Sequence, residues 1–123
     1  MMRPRLAEQA IQKAVFDHIA ARAYPGVVAF HSPNGGYRRP VDAAIFKGMG
    51  VLAGVSDVLA CHDGKFFALE LKAEGQRPTA AQLEFIAAVN EAGGYATWAE
   101  GLTRALNILE CWGLLRPDRS VAA

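Results

Sequence analysis

Two apolar runs flank Asp63-Gly64, and that dipeptide constrains the fold more than any other stretch of the chain. Asp-Gly readily takes the two left-handed positions of a type I′ turn, whose twist matches paired antiparallel strands. Residues 55–62 and 65–72 are therefore predicted to form a β-hairpin. A two-residue turn sets His62 opposite Lys65 and Asp57 opposite Glu70, and a four-residue loop closed by Cys61 and Phe66 gives the same register. Directly opposed residues share a face, with Cβ atoms ~4.5–5.5 Å apart. Strand alternation adds Lys72 to the face of Glu70 and turns Leu69 and Leu71 the other way, into the core.

The rest of the chain alternates helix and strand. Residues 5–23 carry Ile11, Val15 and Ile19 on one helical stripe, ended by Pro25-Gly26. Residues 27–30 are a short strand, and residues 31–36 form a loop of Pro, Asn and Gly chemistry. Pro40 starts a short helix through Lys47, closed by Gly48. Thr79 caps a helix running to about Ala92 and stopped by Gly93-Gly94. A last strand over 95–98 and an amphipathic helix over 102–115 complete the order α-β-α-β-β-α-β-α. The reading is one α/β domain over residues 1–116, a mixed central sheet flanked by helices, with a tail at 117–123.

Thirteen Lys and Arg against twelve Asp and Glu leave a formal charge of +1. A bulk electrostatic binder of nucleic acid or a polybasic membrane anchor is excluded on that ground. No apolar run approaches the ~18 residues of a membrane span. The residues following Met1 and Met2 lack a signal-peptide core, so a cytoplasmic location is expected. Cys61 and Cys111 have no partners at zinc-type spacing and read as two buried, reduced thiols.

The opposed carboxylates carry the chemistry. Like charges facing each other are destabilising, and Phe66 and Ala68 on the same face imply partial burial. A divalent cation bridging Asp57 and Glu70 resolves the conflict. Mg²⁺ prefers oxygen ligands, keeps several waters and accepts a phosphate oxygen. Lys72 would orient or help deprotonate an attacking water, or stabilise charge on the phosphate. The competing reading is a surface hairpin whose charges face solvent.

Gly54-Val55-Ser56-Asp57, twelve further residues, and then Glu70-Leu71-Lys72 resemble the core of the PD-(D/E)xK nucleases. More narrowly the chain resembles the VRR-NUC family of that superfamily. Supporting stretches are Glu8 with Gln12, the 31–36 loop with Arg38, the segment 47–51, and Gln82, in the family's order from about Glu8 to Gly94. The family often has Pro before the acidic ligand; Ser56 stands there, which bears on local backbone geometry. The resemblance implies a restriction-endonuclease-like fold and a Mg²⁺- or Mn²⁺-dependent endonuclease. It implies Asp57 and Glu70 as metal ligands with the Leu71 carbonyl as a third, and Lys72 as the catalytic lysine. Glu8 would reach the metal shell, and Gln82 would position the site. Similar standalone members, of phage or bacterial type, imply branched DNA or four-way junctions as substrate and a two-fold homodimer.

The residues themselves leave two of these roles open. Glu8 lies on or beside the buried stripe and needs a partner, metal or Lys72, but it also suits a helix start. Gln82 stands three residues after Thr79, where it would equally complete a capping box.

Nine of the thirteen basic residues are Arg, the side chain suited to phosphate. Asn34, Arg38, Arg39, Lys47 and Arg77 are the expected DNA contacts, since a local field at a cleft matters more than total charge. A solvated loop is the plainer reading of the Arg38-Arg39 stretch. His31 reads as a packed or loop histidine, and Trp98 and Trp112 as core. The apolar residues of the last helix serve the core or a dimer contact. A non-catalytic nucleic-acid-binding module and a hydrolase of small phosphate esters are the competing functions.

Overall fold

Asp63 and Gly64 both take left-handed backbone angles, φ 54° and 77°, as a type I′ turn requires. The computed structural model describes residues 4–33 and 39–118. Its elements follow the predicted order: α1 (Pro4–Arg22), β1 (Val28–Phe30), α2 (Pro40–Gly48), β2 (Val58–His62), β3 (Lys65–Lys72), α3 (Ala80–Glu91), β4 (Tyr95–Glu100) and α4 (Leu102–Cys111). The strands lie in the order β1-β2-β3-β4, antiparallel except for the parallel pair β3 and β4. The hairpin ladder pairs His62 with Lys65 and Val58 with Leu69, the predicted register.

The two faces of the sheet bury different sets. On one, Val58, Phe67, Leu69 and Leu71 meet Val15 of α1 and Ala105 and Leu109 of α4. On the other, Leu59, Ala68 and Ala96 meet Ile86 of α3. Each fully buried Leu or Val contributes roughly 1.5–3 kcal/mol of transfer free energy. The predicted stripe on α1 is the one used: Val15 is buried, with Ile11 and Ile19 packed beside it.

Several element boundaries and the burial of the cysteines differ from the sequence reading. β2 begins at Val58 rather than at residue 55, because the Asp57 side chain takes the Leu71 N–H at 2.9 Å in place of a ladder carbonyl. β4 continues to Glu100, extended by the Gly101 N–H donating to the Lys72 carbonyl at 2.8 Å. α4 stops at Cys111, because Gly113 turns the chain with φ 79° and Leu115 then bridges Ala23. β1 starts one residue later than expected. Both cysteines are exposed rather than buried. Cys61 pairs with exposed Val28 on the side of the sheet that α3 leaves bare, and Cys111 faces away from the Ala105–Leu109 stripe.

The apolar residues of α4 point into the protein's own core, so that helix is not spare surface. α2 is the opposite case: none of its residues is buried. At the outer edge of β4, the Asn90 amide donates to the Ala96 carbonyl and accepts its N–H, at 2.9 and 2.8 Å. Among the described residues, no helix is long and apolar enough to cross a membrane.

Candidate active site

Glu70 is the most deeply buried charged side chain in the sheet, 2% exposed. Its place follows from the turn: alternation from Lys65 puts Phe66, Ala68, Glu70 and Lys72 on the α3 face. α3 covers the Ala68 end of that face, and the carboxylate lies beyond it. The hairpin register extrapolated one pair past Val58 and Leu69 sets Asp57 opposite Glu70.

Asp57 stands at the end of a tightly held loop. Gly54, with φ 77°, brings the backbone against α3 so closely that a Cβ there would meet the Ala81 carbonyl oxygen at 2.3 Å. His31 fixes the loop from the other side, its Nδ1 2.8 Å from the Asp57 carbonyl oxygen. Asp57 Oδ2 is spent on the Leu71 N–H. Because the N–H and C=O of one residue leave a strand on the same edge, the Leu71 carbonyl emerges on the Asp57 side. Gly54→Ala is therefore expected to cost at least about 2 kcal/mol, through left-handed strain and overlap together. Urea unfolding would measure it.

The electrostatics of the pair are adverse for two anions. Burial, then the negative charge of Asp57 and a hydrogen bond to it, push the Glu70 carboxyl from its ordinary 4.5 up to about 9, against the opposing pull of Lys72. Glu70 Oε1 is buried without a hydrogen-bond partner, as is the neighbouring Ser56 Oγ. Lys72, itself buried, extends Nζ to 3.6 Å from Glu70 Oε2 and 4.0 Å from Glu8 Oε1. Asp57, Glu70, Lys72 and Glu8 are thus gathered at one end of the sheet.

An orphaned, buried carboxylate oxygen beside a second carboxylate suits a hard divalent cation. Among the described residues, no three Asp, Glu, His or Cys side chains are grouped to enclose a metal. A cation here would rest on two carboxylates, backbone oxygen and water, the sparse protein shell that Mg²⁺ takes.

The other expected site residues fare variously. Gln82 completes the capping box, its Oε1 accepting the Thr79 N–H at 2.9 Å while its own N–H donates to Thr79 Oγ1. Arg39 pairs with Asp42 at 2.8 Å on the exposed start of α2. Lys47 is exposed and, with the 50–54 segment that leads toward Asp57, lines a groove. Asn34 and Arg38 lie outside the described residues. Arg77 lies over the Trp98 ring, 5.7 Å from its centroid. Trp112 packs on the main core, whereas Trp98 is only partly buried at the rim of the second cluster. The His31 contact with Asp57 is not legible in the sequence, because nothing local links a loop histidine to a carbonyl 26 residues away.

No family model matches the chain, and no curated protein matches it. Among solved structures it is similar to one described as a VRR_NUC domain protein, at 25% identity, with 85% of each chain covered and a TM-score of 0.68. A second, described as a VRR_NUC domain, is 17% identical over 85% of this chain and 95% of that one, with a TM-score of 0.57. The chain therefore has the VRR_NUC-domain fold, a single α/β domain with a mixed four-stranded sheet, as the motif resemblance implied.

Proposed function

We propose that this protein is a Mg²⁺- or Mn²⁺-dependent endonuclease that hydrolyses DNA phosphodiester bonds. The observation that carries the reading is the buried Glu70 carboxylate, one oxygen unpartnered, facing Asp57 and touching Lys72. A nuclease-type fold around that constellation supports DNA as the substrate class.

When bound, the metal supplies Lewis-acid polarisation of the phosphate and a water acidic enough to be a nucleophile. Asp57 and Glu70 would hold it, with the Leu71 carbonyl as a third protein ligand. Lys72 directs its ammonium at the reacting phosphate, where it stabilises the negative charge that develops or orients the attacking water. Glu8 fixes the Lys72 ammonium from the α1 side. Gln82 acts on the site by anchoring the start of α3, the helix against which the Asp57 loop packs. Arg39, Lys47 and Arg77, with Asn34 and Arg38, contact the sugar–phosphate backbone.

Branched DNA, four-way junctions among it, is the preferred substrate, and a homodimer is the acting form. One small domain has little footprint on DNA, and a symmetric junction needs two cuts. Val41 and Ile45 of α2 with Met49 at its C-cap, each more than half exposed, offer an apolar surface for the second copy. The nuclease domain spans residues 1–116 and works in the cytoplasm of a bacterium or a phage-infected host.

The deciding experiment incubates labelled linear duplex, flap and four-way-junction DNA with the protein in Mg²⁺, Mn²⁺ or EDTA, beside Asp57→Ala. Cleavage that needs metal, favours the junction and disappears in Asp57→Ala is expected. Cleavage surviving in Asp57→Ala sinks the assigned site, and tight binding without cleavage makes the protein a binding module. Light scattering during gel filtration reads the oligomeric state.

A further inference from the structure

Trp98 does not behave as an ordinary core residue. In the parallel β3–β4 register it stands beside Glu70, so both side chains leave the same face of neighbouring strands. Its inner part packs at the rim of the Leu59–Ala68–Ile86–Ala96 cluster. Toward solvent the indole carries the Arg77 guanidinium, whose Cζ is 5.7 Å from the ring centroid.

The backbone that presents Arg77 is pinned on both sides. Before it, the Gly75 N–H donates to Glu100 Oε2 at 2.6 Å, and the Gln76 N–H donates to the Ala73 carbonyl at 3.0 Å. After it, Thr79 and Gln82 form the capping box. Glu100, the carboxylate nearest in sequence to Trp98, is committed to Gly75 and approaches Arg104 rather than Arg77. Among the described residues, no hydrogen bond or ion pair engages the Arg77 guanidinium. A cation held by a ring face keeps all five N–H donors available. Because Trp98 and Glu70 are register partners on adjacent strands, the ring that carries the guanidinium stands next to the Glu70 carboxylate on the same face.

We propose that Arg77, held over Trp98, is a preformed binding element for a second backbone phosphate, next along the strand from the phosphate at Asp57 and Glu70. Trp98 is then a positioning residue. It fixes the guanidinium, whose fork takes two phosphate oxygens, and its covered face is not a platform for a base. The element rests on the nuclease reading for its substrate class, yet it is a binding device that can be tested without cleavage.

The test measures binding of labelled duplex and four-way-junction DNA by fluorescence anisotropy, with Ca²⁺ present, across a KCl series. Arg77→Ala is expected to weaken binding about tenfold and to make the salt dependence shallower by about one phosphate contact. Trp98→Leu should lose most of the same affinity, Trp98→Phe should retain it, and Arg77→Ala/Trp98→Leu should bind no worse than Arg77→Ala. Thermal melts accompany each variant. If Trp98→Leu is unfolded, Arg77→Ala and Trp98→Phe decide. Wild-type affinity and salt slope in Arg77→Ala, losses that add in the double variant, or no DNA binding by the native protein would each overturn the proposal. DNA binding that depends on Arg77 without any cleavage would remove the nuclease reading and leave this one standing. Cleavage with an unchanged KM in Arg77→Ala would do the reverse.

Discussion

Lys72→Met is expected to lower the single-turnover rate of DNA cleavage by about 10²–10³-fold, the usual effect of removing one preorganised charge from a reacting centre. The size follows from where the ammonium is. Lys72 is 7% exposed, its stem packed in the sheet and its Nζ held between Glu70 and Glu8. Among the described residues, no other Lys or Arg side chain pairs with Glu70 or Glu8. Lys65→Met, at the turn end of the same strand and exposed, is the control and should cleave normally. Glu8→Gln should cost less, about tenfold, because it alters the orientation of the ammonium and leaves its charge. Equal rates for Lys72→Met and Lys65→Met would remove Lys72 from the chemistry.

The second large effect is on stability. Glu70→Gln should stabilise the metal-free protein and remove most of its pH dependence between about pH 5 and 8. Below the unfolded value of 4.5 the carboxyl is protonated in both states, and its burial carries no ionic cost. Between 4.5 and the folded value of about 9 the unfolded chain gives up a proton that the native one retains. Native stability then falls as pH rises, by at most about 1.4 kcal/mol per pH unit, and levels off above the folded value. Wild-type melting temperature should decline across that window while that of Glu70→Gln stays nearly level. Divalent metal should reverse the decline by displacing the proton. Calorimetric titration of Mn²⁺ near neutral pH, in buffers of different ionisation enthalpy, should report release of about one proton for wild type and none for Glu70→Gln. Parallel melting profiles for the two proteins would show that Glu70 is not the buried acid the geometry makes it.

Much of this is readable in the residues alone, for a physical reason. A two-residue turn leaves a hairpin only one register, so Asp63-Gly64 fixed the ladder down to Val58 and Leu69, and one step beyond it Asp57 and Glu70, with Lys72 on the Glu70 face. Capping is similarly local, and Thr79 with Gln82 formed the box their spacing suggested. Contacts made across the sequence were not legible. Nothing in the residues around Cys61 tells that α3 covers β3 and β4 but leaves the β1 side open. The His31 bond to Asp57 and the seating of Arg77 on Trp98 depend on how loops meet strands distant in sequence. Glu8 was half legible: its stripe marked it as needing a metal or Lys72 as partner, and the packing of α1 sets it 4.0 Å from the Lys72 ammonium.

The amide of Asn90 imitates one residue of an absent neighbouring strand, filling both the donor and the acceptor that Ala96 offers outward. Two copies of this domain therefore cannot extend their sheets through that part of β4, and a growing ribbon of β4-to-β4 contacts has no place to start there. Colloidal behaviour at high concentration, for a protein with almost no net charge to keep its copies apart, thus depends in part on a single uncharged side chain.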